Sequence, residues 1–243
     1  MQNRQILVGS IIVAAIVIGA AWYATRQPHV TVVDTTQPTT TQGASTSTAQ
    51  AAQPKPTKPA TPTPAAQYAV VTLPIDAKDK VPVWSFKGAY VGNATLEQKA
   101  HAEITRLTGL LSNTSDVTVQ ETYISIGNQY ELLGDGKSAY DNFLKALNTK
   151  DRYEQEDALA WANLGDLMTT LGALHTAETA YASATHALPG EASLYVSRIS
   201  FLLAHMPTNT TDIDAAFAEA AKYVPGDASV AQLQAQYQKS KAQ

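Results

Sequence analysis

The apolar residues are distributed along the chain in three different ways. Residues 6–24 are almost entirely apolar and carry no charged side chain. Residues 34–66 contain no large aliphatic or aromatic side chain. From residue 93 onward, apolar residues recur every three or four positions, which is the period of an amphipathic helix. The pattern predicts an apolar helix, a polar spacer and a helical domain, in that order.

The apolar segment is long enough to cross a bilayer. As a helix, residues 6–24 would extend roughly 28 Å, close to the hydrocarbon thickness of a membrane. Trp22 and Tyr23 stand at one end, where interfacial aromatic residues are common. We therefore predict a transmembrane signal-anchor helix at 6–24. Gly19 and Ala21 also suit a cleavable signal peptide, and the alternative is a protein secreted after cleavage.

The charge at the start of the chain predicts its orientation. Arg4 and the free amine precede the apolar run, so the positive-inside rule predicts a cytoplasmic N-terminus and an extracytoplasmic C-terminal domain. Residues 34–66 are rich in Thr, Pro and Ala and cannot bury enough apolar surface to offset the entropy of ordering. They are predicted to form a disordered stalk, or a linker without a required length.

Residues 67–92 regain apolar side chains without a helical period. Val70, Val71 and Leu73 favour extended structure, whereas Pro74 and Pro82 disfavour a central strand. We expect an extended strap that packs on the helical domain. Two alternatives are that the strap fills the binding groove of its own chain, or that it forms a short hairpin or an exposed recognition element.

The helical domain contains a repeated spacing. Its best-formed copy comprises Trp161, Leu164, Gly165, Met168, Gly172, Ala177, Tyr181, Ala184 and Pro189. An earlier copy comprises Tyr123, Ile126, Gly127, Tyr130, Gly134, Ala139, Phe143 and Ala146. A third copy starts at Tyr195 but has Arg198 and Ile199 where Leu and Gly are expected. An arginine at a core position needs a partner or an exit to solvent.

These spacings resemble the tetratricopeptide repeat (TPR), in which each unit is a pair of antiparallel helices. The resemblance implies an all-α, TPR-like helical-hairpin solenoid. Its units are 120–153, 158–191 and 192–227, and its capping helices are 93–111 and 228–240. TPR proteins bind partners in a concave groove lined by the first helix of each unit. By position, the groove would be lined by Glu121, Ile124, Asn128, Glu131, Leu159, Asn163, Asp166, Ser193, Ser197 and Ser200.

The groove positions indicate what kind of peptide would bind. Asn128 and Asn163 carry amides that can hydrogen-bond a peptide backbone. The mapped positions contain no Lys or Arg, unlike TPR domains that clamp a C-terminal carboxylate. Because Glu131 and Asp166 are acidic, a neutral or basic extended peptide suits this surface better.

Composition argues against several other functions. Seventeen basic and 21 acidic residues leave no basic excess for a nucleic-acid partner, and the chain has no cysteine. None of its five histidines has metal-ligand spacing with another histidine. No phosphate-binding loop or nucleophile motif occurs. We therefore expect no enzyme activity, no cofactor, no metal and no small-molecule substrate.

Together these observations predict a membrane-anchored scaffold that mediates protein–protein interaction. It would bind an extended peptide segment in the concave groove. The alternative is a structural tether or assembly subunit of a cell-envelope or secretion complex, which would use its convex face.

Overall fold

A computed structural model describes residues 70–112, 119–150 and 152–242. The predicted transmembrane helix at 6–24 and stalk at 34–66 lie outside these residues. The described helices are α1 (Ala94–Leu110), α2 (Val119–Leu132), α3 (Gly136–Leu147), α4 (Glu154–Thr170), α5 (Leu174–Ala187), α6 (Ala192–His205), α7 (Thr210–Tyr223) and α8 (Ala228–Lys241). The predicted all-α class is confirmed for this part of the chain. None of these eight helices is both long and apolar enough to cross a membrane.

Local side chains define where several helices begin. Asn93 caps α1 by accepting a hydrogen bond from the Leu96 N–H at 3.2 Å. Asp135 caps α3 in the same way, accepting from the Ser138 N–H at 3.0 Å. Such caps satisfy N–H groups that have no acceptor inside the helix. Gly172, with a φ of +76°, turns the chain from α4 into α5.

Short turns make consecutive helices neighbours. The helices pack as the pairs α2 with α3, α4 with α5, and α6 with α7, and each pair also contacts the next. Helix α1 packs on α2, while α8 packs on α6 and α7. One apolar core runs through all of these pairs, from Leu73 to Tyr237. A pair of helices buries only one apolar face by itself, so the stacking of pairs completes the core.

Two glycines allow the first two pairs to close tightly. A Cβ atom placed on Gly127 would lie 2.5 Å from the Phe143 ring, and one on Gly165 would lie 2.8 Å from the Tyr181 ring. Phe143 and Tyr181 are 0% and 5% exposed. Each ring therefore occupies the space that a larger residue on the opposite helix would need.

The third pair is built differently around Arg198. This residue stands where Leu164 stands one unit earlier, and it is buried. Its guanidinium donates to the Glu178 carboxylate at 2.7 and 3.0 Å and to the Glu219 carboxylate at 2.7 Å. Glu178 lies on α5 and Glu219 on α7, so one arginine joins the second pair to the third. The buried arginine thus has two charged partners, Glu178 and Glu219.

The strap packs on the second helices of the first two pairs. Val71 exchanges two hydrogen bonds with the Asn148 side chain at the end of α3, at 2.8 and 2.9 Å. The Tyr140 hydroxyl of α3 donates to the Leu73 carbonyl. The Asp76 N–H donates to the Thr176 hydroxyl of α5 at 2.9 Å. The extended strap is therefore joined to both α3 and α5.

The last part of the described strap packs on the α2–α3 turn and does not form a hairpin. Trp84 packs edge-on against Tyr140 of α3, and its carbonyl accepts from the Gly136 N–H at 2.8 Å. Further along, the strap reaches the end of α2, where the Tyr90 N–H donates to the Leu132 carbonyl at 2.9 Å and Gly88 lies against the Glu131 backbone. Residues 70–92 form a single isolated bridge, between Ser85 and Asp135, rather than a hairpin.

Gly165→Ala is expected to lower the free energy of unfolding by about 1–3 kcal/mol, because the added methyl collides with the buried Tyr181 ring. Gly109→Ala is the matched control, since a Cβ atom there meets nothing within 4 Å. The control should be stabilising, by up to about 1 kcal/mol, through helix propensity. Urea denaturation measures both changes. Equal effects of the two substitutions would contradict the close approach.

Arg198→Ala is expected to lower the free energy of unfolding by about 3–5 kcal/mol, because two carboxylates lose their buried partner. The control is Arg106→Ala. Arg106 forms an ion pair with Glu103 at 2.6 Å, but its side chain is 57% exposed. An exposed pair contributes about 0–1 kcal/mol. Thermal and urea unfolding of both variants test the difference, and a small effect at Arg198 would show that the network is dispensable.

Candidate functional site

The first helices of the first two pairs lie against each other. Near the start of α2, the buried Gln120 side chain donates to Asp157 of α4 at 2.7 Å and accepts from the Tyr153 N–H at 2.9 Å. Further along, the Asn163 amide of α4 donates to the Asn128 amide of α2 at 2.8 Å. Two side-chain contacts thus set the register of α2 and α4.

The amide pair places two acidic residues side by side. Asn128 and Asn163 are 35 positions apart. Glu131 and Asp166 are separated by the same interval, 166 − 131 = 35. Each acid follows its asparagine by three residues, which is about one helical turn. We call Asn128, Glu131, Asn163 and Asp166 the amide–acid patch.

The ionised forms of the two acids in the patch are disfavoured. Burial raises the pKa of Glu131 to about 8, and the charge of Asp166 adds to the shift. Burial also raises the pKa of Asp166, although a hydrogen bond from the Tyr181 hydroxyl at 2.5 Å opposes this. Asp166 nevertheless has an exposed side. The Asp166 carboxylate therefore contacts α5 through the Tyr181 hydroxyl and keeps another side open to solvent.

The patch has hydrogen-bonding capacity left over. One Asn–Asn bond uses one donor and one acceptor, so the Asn128 Nδ2 and the Asn163 Oδ1 stay unengaged by described residues. Within the described ranges, no Lys, Arg or His forms an ion pair with Glu131 or Asp166. The patch therefore has free amide N–H donors and a free amide carbonyl acceptor, beside two carboxyl groups that form no ion pair with a described residue.

The other predicted groove residues on α2 and α4 differ in how far they are exposed to solvent. Ile124 is 2% exposed and belongs to the core, so it does not line an accessible surface. Its place in the groove was transferred by repeat position, whereas the structure places it in the apolar core. Leu159 is half-buried and packs against the core, whereas Glu121 is exposed.

The three predicted serines on α6 lie apart from the patch. Helix α4 packs on α2, but α6 does not pack closely on α4. The Ser193 hydroxyl donates to the Glu191 carboxylate at 2.6 Å, within its own helix cap. Ser197 is exposed and Ser200 is half-buried, and neither is joined to the patch by a hydrogen bond among the described residues. The candidate site is thus centred on α2 and α4.

Sequence reasoning did not assign Tyr181 to the site. The repeat spacing identifies it only as the aromatic residue that packs on Gly165. Its hydroxyl, however, reaches across to Asp166 of α4. The sequence offered one indication of this contact. Position 181 is a tyrosine, whereas the equivalent residue of the first unit is Phe143, and only tyrosine adds a hydroxyl group at that position.

Comparison with known proteins adds no further assignment. No protein-family model matches this chain, and neither a curated protein nor a solved structure matches it. Within the described residues, no group of three or more His, Asp or Glu side chains is placed to hold a metal ion. The amide–acid patch is therefore interpreted from its geometry alone.

Glu131→Gln is expected to stabilise the protein above about pH 8. A carboxyl group with a raised folded-state pKa contributes stability below its unfolded pKa, near 4.5, and loses it as the pH rises through about 8. The amide cannot ionise, so the variant should exceed the wild type at pH 9 by on the order of 1–2 kcal/mol, after allowance for solvent screening.

The control for this prediction is Glu103→Gln. A hydrogen bond from Arg106 lowers the pKa of Glu103, so its charged form is favoured in the folded state. Removing that charge should leave stability unchanged or slightly lower at pH 9. Unfolding free energies of both variants at pH 5 and pH 9 provide the measurement. A wild-type profile that does not fall relative to Glu131→Gln between these values would refute the assignment.

Proposed function

We propose that this chain is a TPR-like scaffold that binds an extended peptide segment of another protein on the α2–α4 face. The observation that carries the proposal is the hydrogen-bonded Asn128–Asn163 pair with its spare donor and acceptor. An extended peptide backbone presents a carbonyl and an N–H along its edge. Asn128 would donate to that carbonyl, and Asn163 would accept from the N–H.

The charge of the patch favours a basic partner. A Lys or Arg side chain of the peptide would lie beside Glu131 and Asp166, where its positive charge would favour their ionised forms and form charge-assisted hydrogen bonds with them. A C-terminal carboxylate would find no cationic partner there and would disfavour the ionised forms of both acids. We therefore propose an internal peptide segment, with a cationic side chain close to the backbone unit that the amides hold.

The position of the strap supports an accessible binding face. Its anchors lie on Tyr140 and Asn148 of α3 and on Thr176 of α5. Later strap residues do reach the end of α2, where the Tyr90 N–H donates to the Leu132 carbonyl at 2.9 Å and Gly88 lies against the Glu131 backbone. Among the described residues, however, no hydrogen bond joins the strap to the Asn128 or Asn163 side chain, so these two amides are left for another chain.

The TPR-like interpretation rests on spacing and close packing together. The Gly127–Phe143 and Gly165–Tyr181 contacts join the two helices of a pair at the small and aromatic positions of the repeat. In the third pair, Ile199 replaces the glycine and Arg198 the leucine. We propose two well-formed units and a divergent third one, attached to a membrane through the predicted anchor at 6–24.

A structural tether remains the second candidate, because the strap side of the molecule carries exposed apolar residues. Val70, Val83 and Val91 are 77%, 59% and 44% exposed. An assembly partner that covers the second-helix side would bury them. In that case the amide–acid patch would have no part in binding.

The test is a selection of displayed random peptides on the full-length chain, followed by affinity measurements with the selected peptides. Asn128→Ala combined with Asn163→Ala should weaken binding by about 10- to 30-fold, since two hydrogen bonds at about 1 kcal/mol each are lost. An additional substitution of Asp166 should weaken the binding of basic peptides further. Amidation of the peptide C-terminus should leave the affinity unchanged.

The matched control is Gln232→Ala with Gln234→Ala, which removes two exposed amides from α8. It should bind as the wild type does. Circular dichroism establishes that each variant is folded. Full retention of binding by the Asn128 and Asn163 variant would exclude the patch and favour the tether, and loss of binding on amidation would indicate carboxylate recognition instead.

A further inference from the structure

Helix α5 begins without a cap of its own. Its N-cap residue is Ala173, which offers no side-chain acceptor. By comparison, α3 and α8 are capped by Asp135 and Asp227, which stand immediately before them. The first N–H groups of α5 must therefore find acceptors elsewhere, because they have none inside the helix.

Asp79 of the strap supplies these acceptors from 96 residues away. Its carboxylate accepts from the His175 N–H at 3.2 Å and from the Thr176 N–H at 2.7 Å. It also bonds the Thr176 hydroxyl at 2.7 Å and the His175 Nδ1 at 3.0 Å. The Asp79 side chain is only 4% exposed. A negative charge at this position also complements the helix dipole.

The ionisation of Asp79 agrees with this role. Burial alone would raise the pKa of the carboxyl group, but the hydrogen bonds from Thr176 and His175 outweigh it and lower the pKa. The charged form is thus favoured where it caps the helix. The capping role of Asp79 rests on geometry, because all four of its contacts with His175 and Thr176 fall within hydrogen-bonding distance.

The strap reaches α5 through a series of separate anchors. In chain order these are Val71 on Asn148, Leu73 on Tyr140, and Asp76 with Asp79 on Thr176. The anchors are mostly single side chains on the surface of α3 and α5. A pull on the chain from its N-terminal side would act on Val71 before it reached Asp79.

We propose that the strap is a detachable helix cap, so that the first turn of α5 is ordered only while the strap is docked. Undocking removes the acceptors of the His175 and Thr176 N–H groups, and Ala173 cannot replace them. The start of α5 then frays. The device couples the N-terminal segment of the chain to the second helix pair, and it does not depend on the proposed peptide-binding function.

The test is hydrogen–deuterium exchange of the full-length chain with Asp79→Ala. Exchange should accelerate about 5- to 30-fold in residues 174–179, as expected for loss of a cap. Residues 76–80 of the strap should also exchange faster, while the second half of α5 stays protected. Asp214→Ala is the control, because it removes an exposed carboxylate on α7 whose ion pair among the described residues is with Lys241. It should leave both segments unchanged.

A rescue distinguishes capping from a general loss of packing. Ala173→Ser, added to Asp79→Ala, gives α5 a local cap whose hydroxyl can accept from the Thr176 N–H. Protection should return at 174–179 but not in the strap. Unchanged exchange at 174–179 in Asp79→Ala, or no rescue by the serine, would overturn the proposal.

A second variant covers the case in which Asp79→Ala does not fold. Asn148→Ala releases Val71 at the other end of the strap without touching α5. Faster exchange at 174–179 in this variant is the expected result. Faster exchange confined to the strap would show that the strap and α5 are independent, and would overturn the proposal as well.

Discussion

The structure depends on two aromatic rings that lie directly on two glycines. Phe143 on Gly127 and Tyr181 on Gly165 set the distance between the helices of the first two pairs. Helix packing in protein interiors is close to crystalline density, so this distance fixes where neighbouring side chains fall. Both pairs close in the same way, at glycines that are 38 positions apart. The Asn128–Asn163 contact joins positions 35 apart, so it lies about one helical turn away from the equivalent repeat positions of α2 and α4.

The third pair shows how the stack continues without the glycine contact. Ile199 stands in the glycine position, and the Arg198 guanidinium joins α6 to its own partner α7 through Glu219 and to the preceding pair through Glu178 of α5. An ion network is directional and demands satisfied partners, whereas a ring on a glycine demands only shape. The third pair therefore uses a different kind of contact between its helices, and α6 does not extend the α2–α4 contact.

The helices could be predicted from the sequence because they follow from the local period of apolar residues. Asn128 and Asn163 were both predicted to line the groove, but the hydrogen bond between them was not predicted, because repeat spacing does not determine how α2 and α4 lie against each other. Ile124 was misplaced, since repeat position alone does not determine which side of a helix is covered by its neighbours. The Tyr181 hydroxyl contact depends on tertiary packing. The Asp79 cap joins residues 96 positions apart, so it could not be predicted from the local sequence of the strap or of α5.

The strap also constrains how the domain can assemble during synthesis. Asp79 emerges from the ribosome about a hundred residues before Thr176, the residue that it binds. Leu73, which is buried in the finished core, must wait for the same helices. Contacts between distant residues form late because closing a long loop costs entropy. The strap is therefore the first part of the domain to be made and among the last to be secured, so the second helix pair must form before the strap has a surface on which to dock.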